Sequence, residues 1–144
     1  MRCISLWQPW ASAVALGLKT IETRHWSTRY SGPLAIHAAK RWTADVREDA
    51  ATLAAAYDAR LATPPLGVIV AVARLVRCEQ TERILARGIS PMEEDFGNYG
   101  PGRFGWILDD VRAFATPIPF RGAQGLFDVP DDLIRESTKT GGTL

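Results

Sequence analysis

The stretch Val68-Ile69-Val70-Ala71-Val72-Ala73-Arg74-Leu75-Val76 constrains the fold more than any other part of this 144-residue chain. A β-strand turns alternate side chains to opposite faces, so a strand with one wet face shows apolar and polar residues in turn. Here eight of nine residues are apolar and five are β-branched. Such a run, from Gly67 to Cys78, predicts a long strand buried on both faces, in a sheet with other elements packed against each side. It falls far short of the roughly 20 apolar residues that span a bilayer, so no membrane segment is expected.

Shorter elements lie on either side. Arg2 to Leu6 reads as an opening strand. A helix follows from Gln8-Pro9-Trp10, with Pro9 in the first turn, where its missing N–H costs nothing, and Gly17 as a left-handed cap. Lys19 to Arg24 alternates like a half-buried strand, and Ser31-Gly32-Pro33 turns into the strand Leu34–Ala38. Thr43 is a suitable N-cap for an Ala-rich helix over 44–61 that ends at Thr63-Pro64-Pro65. Thr81 to Arg87 predicts a short helix closed by Gly88. The segment 89–102, with Pro91, Gly97, Asn98 and the acidic run Glu93-Glu94-Asp95, predicts a mobile, solvated loop. Arg103–Asp109 and Ala113–Ile118 are expected to form a hairpin through Asp110-Val111-Arg112. Gly125–Val129 is a last strand, 130–137 a terminal helical turn, and 138–144 a frayed tail. Short strands with two or three interleaved helices imply an α+β fold: one domain over residues 1–137, its small sheet curled or closed into a barrel.

Hydrophobic residues make up 47% of the chain, enough to bury a core, and the net charge is only +1. The distribution is more telling. Residues 1–42 carry Arg2, Lys19, Arg24, Arg29, Lys40 and Arg41 against the single Glu22, a surplus of five, and the remainder is net −4. That pattern predicts a local anion site rather than a generally basic surface. Trp7, Trp10, Trp26 and Trp42 share the same segment. Aromatic rings beside cations are what single-strand binders use, each stacked base being worth roughly 1–3 kcal/mol. Trp10 and Trp106 are expected in the core, and Trp7, Trp26 and Trp42 at the rim of a cleft. His37, Lys40 and Arg41 end a strand and can extend a phosphate track; for His37 the plainer alternative is a partly buried strand residue. Cys3 and Cys78 read as reduced thiols, and His25 and His37 have no acidic or thiol partner in a ligand motif, so neither metal nor cofactor is expected. Met1 to Leu6 carries no apolar run of the secretory type, and the cytoplasm is the expected location.

Three segments together resemble a known family: Ile4-Ser5-Leu6-Trp7-Gln8-Pro9-Trp10-Ala11-Ser12, then Gly17-Leu18-Lys19-Thr20-Ile21-Glu22-Thr23-Arg24, then Gly32-Pro33-Leu34-Ala35-Ile36-His37-Ala38. The chain is similar to the ASCH domain (activating signal cointegrator homology), whose signature G-x-K-x-x-E-x-R is met at Gly17, Lys19, Glu22 and Arg24. Ser31 stands where a basic residue often precedes the Gly-Pro. The resemblance implies a PUA-like β-barrel with a cleft lined by the signature. It also implies binding of nucleic acid, RNA more readily than DNA, or of a nucleotide-like ligand, with hydrolysis of RNA or of a modified cytidine in some members.

On that reading Trp7, Gln8, Lys19, Glu22, Arg24, Trp26, Arg29, His37, Lys40 and Arg41 are the candidate ligand contacts. Lys19 offers a compact charge to a phosphate, and Arg24 a planar fork to a phosphate or base edge. Glu22 orders the two cations or accepts from a base amino group; the plainer alternative is a surface ion network worth under about 1 kcal/mol. In ideal strand geometry Lys19 and Glu22 diverge, so convergence requires Lys19 to lie in the turn after Gly17. In the family's amidohydrolase-like members a threonine follows the lysine by three residues. Here that position is Glu22, with Thr20 and Thr23 displaced. A catalytic role for Lys19 and Glu22 then takes one of two forms. Glu22 is a general base on water with Lys19 stabilising the oxyanion, or the pair deprotonates a 2′-hydroxyl as in a ribonuclease.

Overall fold

The structure is a computed structural model that describes residues 1–139, with side chains through residue 135. Its strands are β1 (Arg2–Leu6), β2 (Ile21–Arg24), β3 (Gly32–Ala38), β4 (Val68–Gln80), β5 (Phe104–Pro119) and β6 (Leu126–Asp128). Its helices are α1 (Trp10–Ala15), α2 (Ala44–Ala56), α3 (Thr81–Arg87), α4 (Pro91–Asp95) and α5 (Asp131–Lys139). The strands form one mixed sheet in the order β2-β5-β4-β3-β1-β6. Only β1 and β3 run parallel; every other neighbouring pair is antiparallel. The sheet curls into a half-barrel whose edges, β2 and β6, are not hydrogen-bonded to each other. This is the expected α+β architecture, with five helices among the described residues rather than two or three.

Alternation along β1 and β3 sends side chains into two separate cores. Ile4, Leu6, Leu34, Ile36 and Ala38 point to one face, where Ala11 and Val14 of α1 and the wholly buried Trp106 complete the larger core. Cys3 and Ala35 point to the other, against Ile69, Phe114, Ile118, Val129 and Ile134 of α5. The long strand β4 is covered on both sides through Ala73 as its composition predicts, and beyond that its exposure alternates. Trp106 donates its indole N–H to the carbonyl of Trp26 at 3.1 Å, which satisfies its one polar atom inside the core. Cys3 and Cys78 are free thiols; burial pushes the Cys3 thiol up to about 12.

Local signals in the chain set several boundaries. Gly17, at φ +77°, ends α1: its N–H meets Val14 O and the N–H of Leu18 meets Ala13 O, a Schellman closure. Thr43 Oγ1 accepts the N–H of Val46 at the start of α2. That helix stops at Ala56, and Asp58 caps a separate 3₁₀ turn, Ala59–Ala62, so the expected single helix over 44–61 is two elements.

Two expectations are overturned. Residues 104–119 form one continuous strand, β5, instead of a hairpin. Asp110, the only non-glycine residue at positive φ (47°) among the described residues, marks a register shift: Val72 faces Arg112 while Arg74 faces Asp109. The residues that suggest a turn make a bulge. The segment 89–102 is likewise not a structureless loop. Ser90 Oγ caps α4 by accepting the N–H of Glu93, and Phe96 just beyond α4 is 1% exposed. The expected frayed tail falls largely outside the described residues; Thr138 and Lys139 belong to α5.

Candidate functional site

The Schellman turn after α1 reverses the chain and leaves Lys19 and Thr20 ahead of β2. Lys19 therefore escapes the alternation of the strand, and its ammonium reaches Glu22 Oε1 at 3.4 Å. Glu22 and Arg24, two apart on β2, share a face. Arg24 Nε donates to Glu22 Oε2 at 3.1 Å, and Arg24 Nη2 donates to the carbonyl of Ser5 on β1 at 2.6 Å. Both carboxylate oxygens of Glu22 are thus committed to cations. Lys19 is 1% exposed and donates to Phe96 O at 2.6 Å, so its charge is buried but partnered.

The turn itself is held by a residue that no local signal singles out. Glu93 of α4 is 7% exposed. Its carboxylate accepts the N–H of Ile21 at 2.8 Å, the N–H of Thr20 at 2.9 and 3.1 Å, and the hydroxyl of Thr20 at 3.0 Å. The acidic run is not simply solvated. Asp95, at the end of α4, accepts from the Tyr57 hydroxyl. The hydroxyl of Tyr99 is buried with no partner among the described residues. Burial, with the charges of Glu93, Glu22 and Glu94 nearby, pushes its pKa upward and keeps it a neutral phenol.

Two open clefts meet on either side of Ser5, Trp7, Arg24 and His25, which line both. The larger, of about 1420 Å³, runs over Trp26, His37 and Lys40 to the loop 119–125 that carries Arg121. The smaller, of about 530 Å³, runs past Glu22 to Asn98 and Arg103. Trp7 stands on the shared rim, 52% exposed, with the Arg41 guanidinium 4.3 Å over its ring. Lys40 lies across Gly67, whose φ of +67° and missing Cβ let the lysine stem pass; a Cβ there would sit 2.9 Å from Lys40 Cε.

At the floor of the larger cleft, Ser5 and His37 are register partners on the parallel strands β1 and β3. Ser5 Oγ lies 2.9 Å from His37 Nδ1, and His37 Nε2 lies 2.7 Å from Phe120 O. A carbonyl only accepts, so Nε2 carries the proton and Nδ1 is free to accept from Ser5. His37 is 2% exposed, and its burial lowers its pKa.

The candidates named from sequence thus separate. Trp7, Arg24, Trp26, His37 and Lys40 line the clefts, Arg41 stacks on the rim, and Glu22 lines the smaller cleft. Gln8 does not belong with them. It is wholly buried, with its amide donating to Ser12 Oγ at 2.7 Å and Pro65 O at 2.9 Å and accepting from Ser12 N at 2.9 Å. Lys19 lines neither cleft, because Phe96 and Glu22 hold it inside. Arg29 is exposed but away from both clefts, and the partly buried Trp42 also lines neither. Trp106 is in the core as expected, while Trp10 is only partly buried and lines the smaller cleft. Ser5 and His25 join the cleft walls without a sequence signal, as do Arg103 and Arg121, whose signal is only a neighbouring glycine near a strand end. No group of three or more His, Cys, Asp or Glu that could hold a metal occurs among the described residues.

Comparisons with known proteins bear on the fold and the family separately. No curated protein matches the chain in sequence. Among solved structures, the ASCH protein of Zymomonas mobilis is similar over 99% of this chain and 96% of its own, at 17% identity and a TM-score of 0.59. Two point variants of that protein are similar as well. Its tyrosine-to-phenylalanine variant gives a TM-score of 0.59 with 98% of both chains covered. Its serine-to-alanine variant gives 0.57 with 98% of this chain and 96% of that one. At 17% identity these likenesses establish the fold. The ASCH domain model matches residues 4–114, which contain all four signature positions and most of the sheet, and the chain belongs to the ASCH domain family.

Proposed function

We propose that the larger cleft binds single-stranded nucleic acid, RNA in preference to DNA, with Trp7 stacking on a base and Lys40, Arg41 and Arg121 neutralising phosphates. The observation that carries this reading is the half-exposed Trp7 with the Arg41 guanidinium 4.3 Å over its ring. A tryptophan left out of the core costs hydrophobic burial; set beside cations, its ring offers a stacking surface that any unpaired base can use. Lys40, Arg41 and Arg121 are all exposed and make no salt bridge among the described residues, so their charge is available to a ligand. Arg24, pinned between Glu22 and Ser5 O, has its fork fixed for a phosphate or base edge. A duplex hides its base faces, which favours a single strand; the PUA-like fold of the family favours RNA.

The test is a titration of labelled single-stranded RNA and DNA, and of duplexes, across a range of salt. Each phosphate contacted on a single strand contributes about −0.7 to the slope of log K against log salt, so three cations predict a slope of about −2. Lys40→Ala, Arg41→Ala and Arg121→Ala together should bring the slope towards zero, and Trp7→Ala should weaken binding about 5–150-fold at unchanged slope. A flat salt response, or affinity indifferent to all four substitutions, would refute the reading.

A further inference from the structure

We infer that Ser5 and His37 form a nucleophile–base pair on the floor of the larger cleft, suited to an acyl ester that carries an anionic group. Their placement follows from the sheet. Side chains at Cys3 and Ala35 enter the smaller core, and the next same-facing pair along β1 and β3, Ser5 and His37, emerges from that core where the sheet opens into the cleft. A serine needs its hydroxyl on an acceptor nitrogen, and that nitrogen must be held in the unprotonated tautomer. Both conditions are met: Ser5 Oγ is 2.9 Å from Nδ1, and the Phe120 carbonyl at 2.7 Å keeps the proton on Nε2.

The surroundings fit an acyl transfer. Gly122 is required where it is: a Cβ there would stand 2.7 Å from His37 Cε1, 2.9 Å from its Nδ1 and 3.1 Å from Ser5 Oγ. Its absence lets the backbone of the loop come down onto the pair. The amides of Gly122 and Ala123, in the loop that closes on the pair, have no hydrogen-bond partner among the described residues, and on this inference they receive the developing oxyanion. Arg24, already on Ser5 O, with Lys40 and Arg121 across the cleft, provides cations for the substrate's anionic group.

In the first step Ser5 Oγ bonds to the acyl carbon and the ester C–O bond breaks; the serine proton passes to His37 Nδ1 and on to the departing alkoxide. In the second, water loses a proton to Nδ1 as its oxygen bonds to the acyl carbon. The acyl–Oγ bond then breaks, the carboxylic acid departs, and the proton returns to Ser5. A carbonyl supports an imidazolium less well than a carboxylate does, and the cleft cations oppose it, so turnover should be slow and should rise with pH as His37 becomes neutral.

The test does not depend on nucleic-acid binding, because its probe, a fluorophosphonate, carries no nucleotide. Attack forms the Oγ–P bond and expels fluoride, and the serine proton passes through His37 to solvent. Mass spectrometry should find the label on Ser5 at least about 100-fold faster than on other serines, the lower end of what a positioned base contributes. Ser5→Ala should abolish it, and His37→Gln should slow it at least tenfold while circular dichroism shows a folded protein. Labelling of Ser5 at the rate of the other serines overturns the inference, as does labelling at full rate in a folded His37→Gln. Should that variant not fold, the pH profile of the unmodified protein decides: a rise governed by one group below its ordinary histidine value supports the pair, and a pH-independent rate overturns it.

Discussion

Removing the Glu93 carboxylate tests whether α4 anchors the signature turn. Glu93→Ala takes away the acceptor of three donors: the N–H of Ile21, the N–H of Thr20 and the hydroxyl of Thr20. These losses are unequal. Ile21 is 9% exposed, so its amide is left buried without a partner, a penalty of about 1–3 kcal/mol. Thr20 is exposed and can turn to water, so its two bonds together contribute about 1 kcal/mol. The expected loss is therefore about 3 kcal/mol, which for a domain of this size lowers Tm by roughly 12 °C. Glu93→Gln should cost about half as much, because an amide oxygen still accepts from Ile21 while its NH₂ can donate to the Thr20 hydroxyl. Glu94→Ala, next door but exposed, should stay within about 0.5 kcal/mol. Urea denaturation with a Tm scan on the four proteins reads all of this. A Glu93→Ala loss below about 1 kcal/mol would refute the anchoring argument. A Glu93→Gln loss equal to that of Glu93→Ala would show that charge rather than hydrogen bonding holds the turn.

Two further outcomes follow from the packing and from His37. The folded-state pKa of His37 lies below its unfolded value near 6.5, so the unfolded chain binds the extra proton first. Stability should therefore fall as pH drops through about 6.5, and His37→Gln should flatten that slope; the depressed carboxylates Asp58, Glu79, Asp109 and Asp131 lose their contribution only nearer pH 4. Gly105→Ala would set a Cβ 2.3 Å from Ile84 Cδ1 and 2.9 Å from Ile21 Cγ2, between α3 and the sheet, and should lower the urea midpoint by an amount equivalent to about 1–3 kcal/mol.

What the sequence made legible was local. Gly17 needs a positive φ to end α1, Thr43 caps α2, and the unbroken apolar run over 68–76 demands cover on both faces; each is decided within a few residues. What it hid was set at long range. Glu93 looks like one of three solvated acids because the amides it serves are 72 and 73 residues away. Gln8 sits between tryptophan and proline in a segment that promises a cleft, yet one of its partners is a carbonyl 57 residues on. Asp110 carries the positive φ of a turn, and only the register against β4 shows that the chain goes straight on. Ser5 and His37 become a pair through parallel register, which no spacing in the chain encodes.

The same distinction explains why the charge surplus of residues 1–42 is a poor map of the cleft. Of its six cations, Lys19 and Arg24 are both tied to Glu22, and Arg2 is shared between Asp128 at 3.9 Å and the Tyr30 ring. Arg29 lies away from both clefts, which leaves Lys40 and Arg41 exposed at the cleft and without a salt bridge among the described residues. The third such cation, Arg121, comes from the net-negative part of the chain, because β5 ends beside the start of β4 and sends its exit loop over His37. The signature accordingly does not coat the cleft with charge. Lys19 and Glu22 stand behind Arg24: one neutralises the partly buried carboxylate, and the other fixes the angle at which the guanidinium reaches Ser5. On the proposed reading, one guanidinium held in place at the junction of two clefts selects a ligand's geometry, whereas the exposed cations around it add affinity that salt can screen.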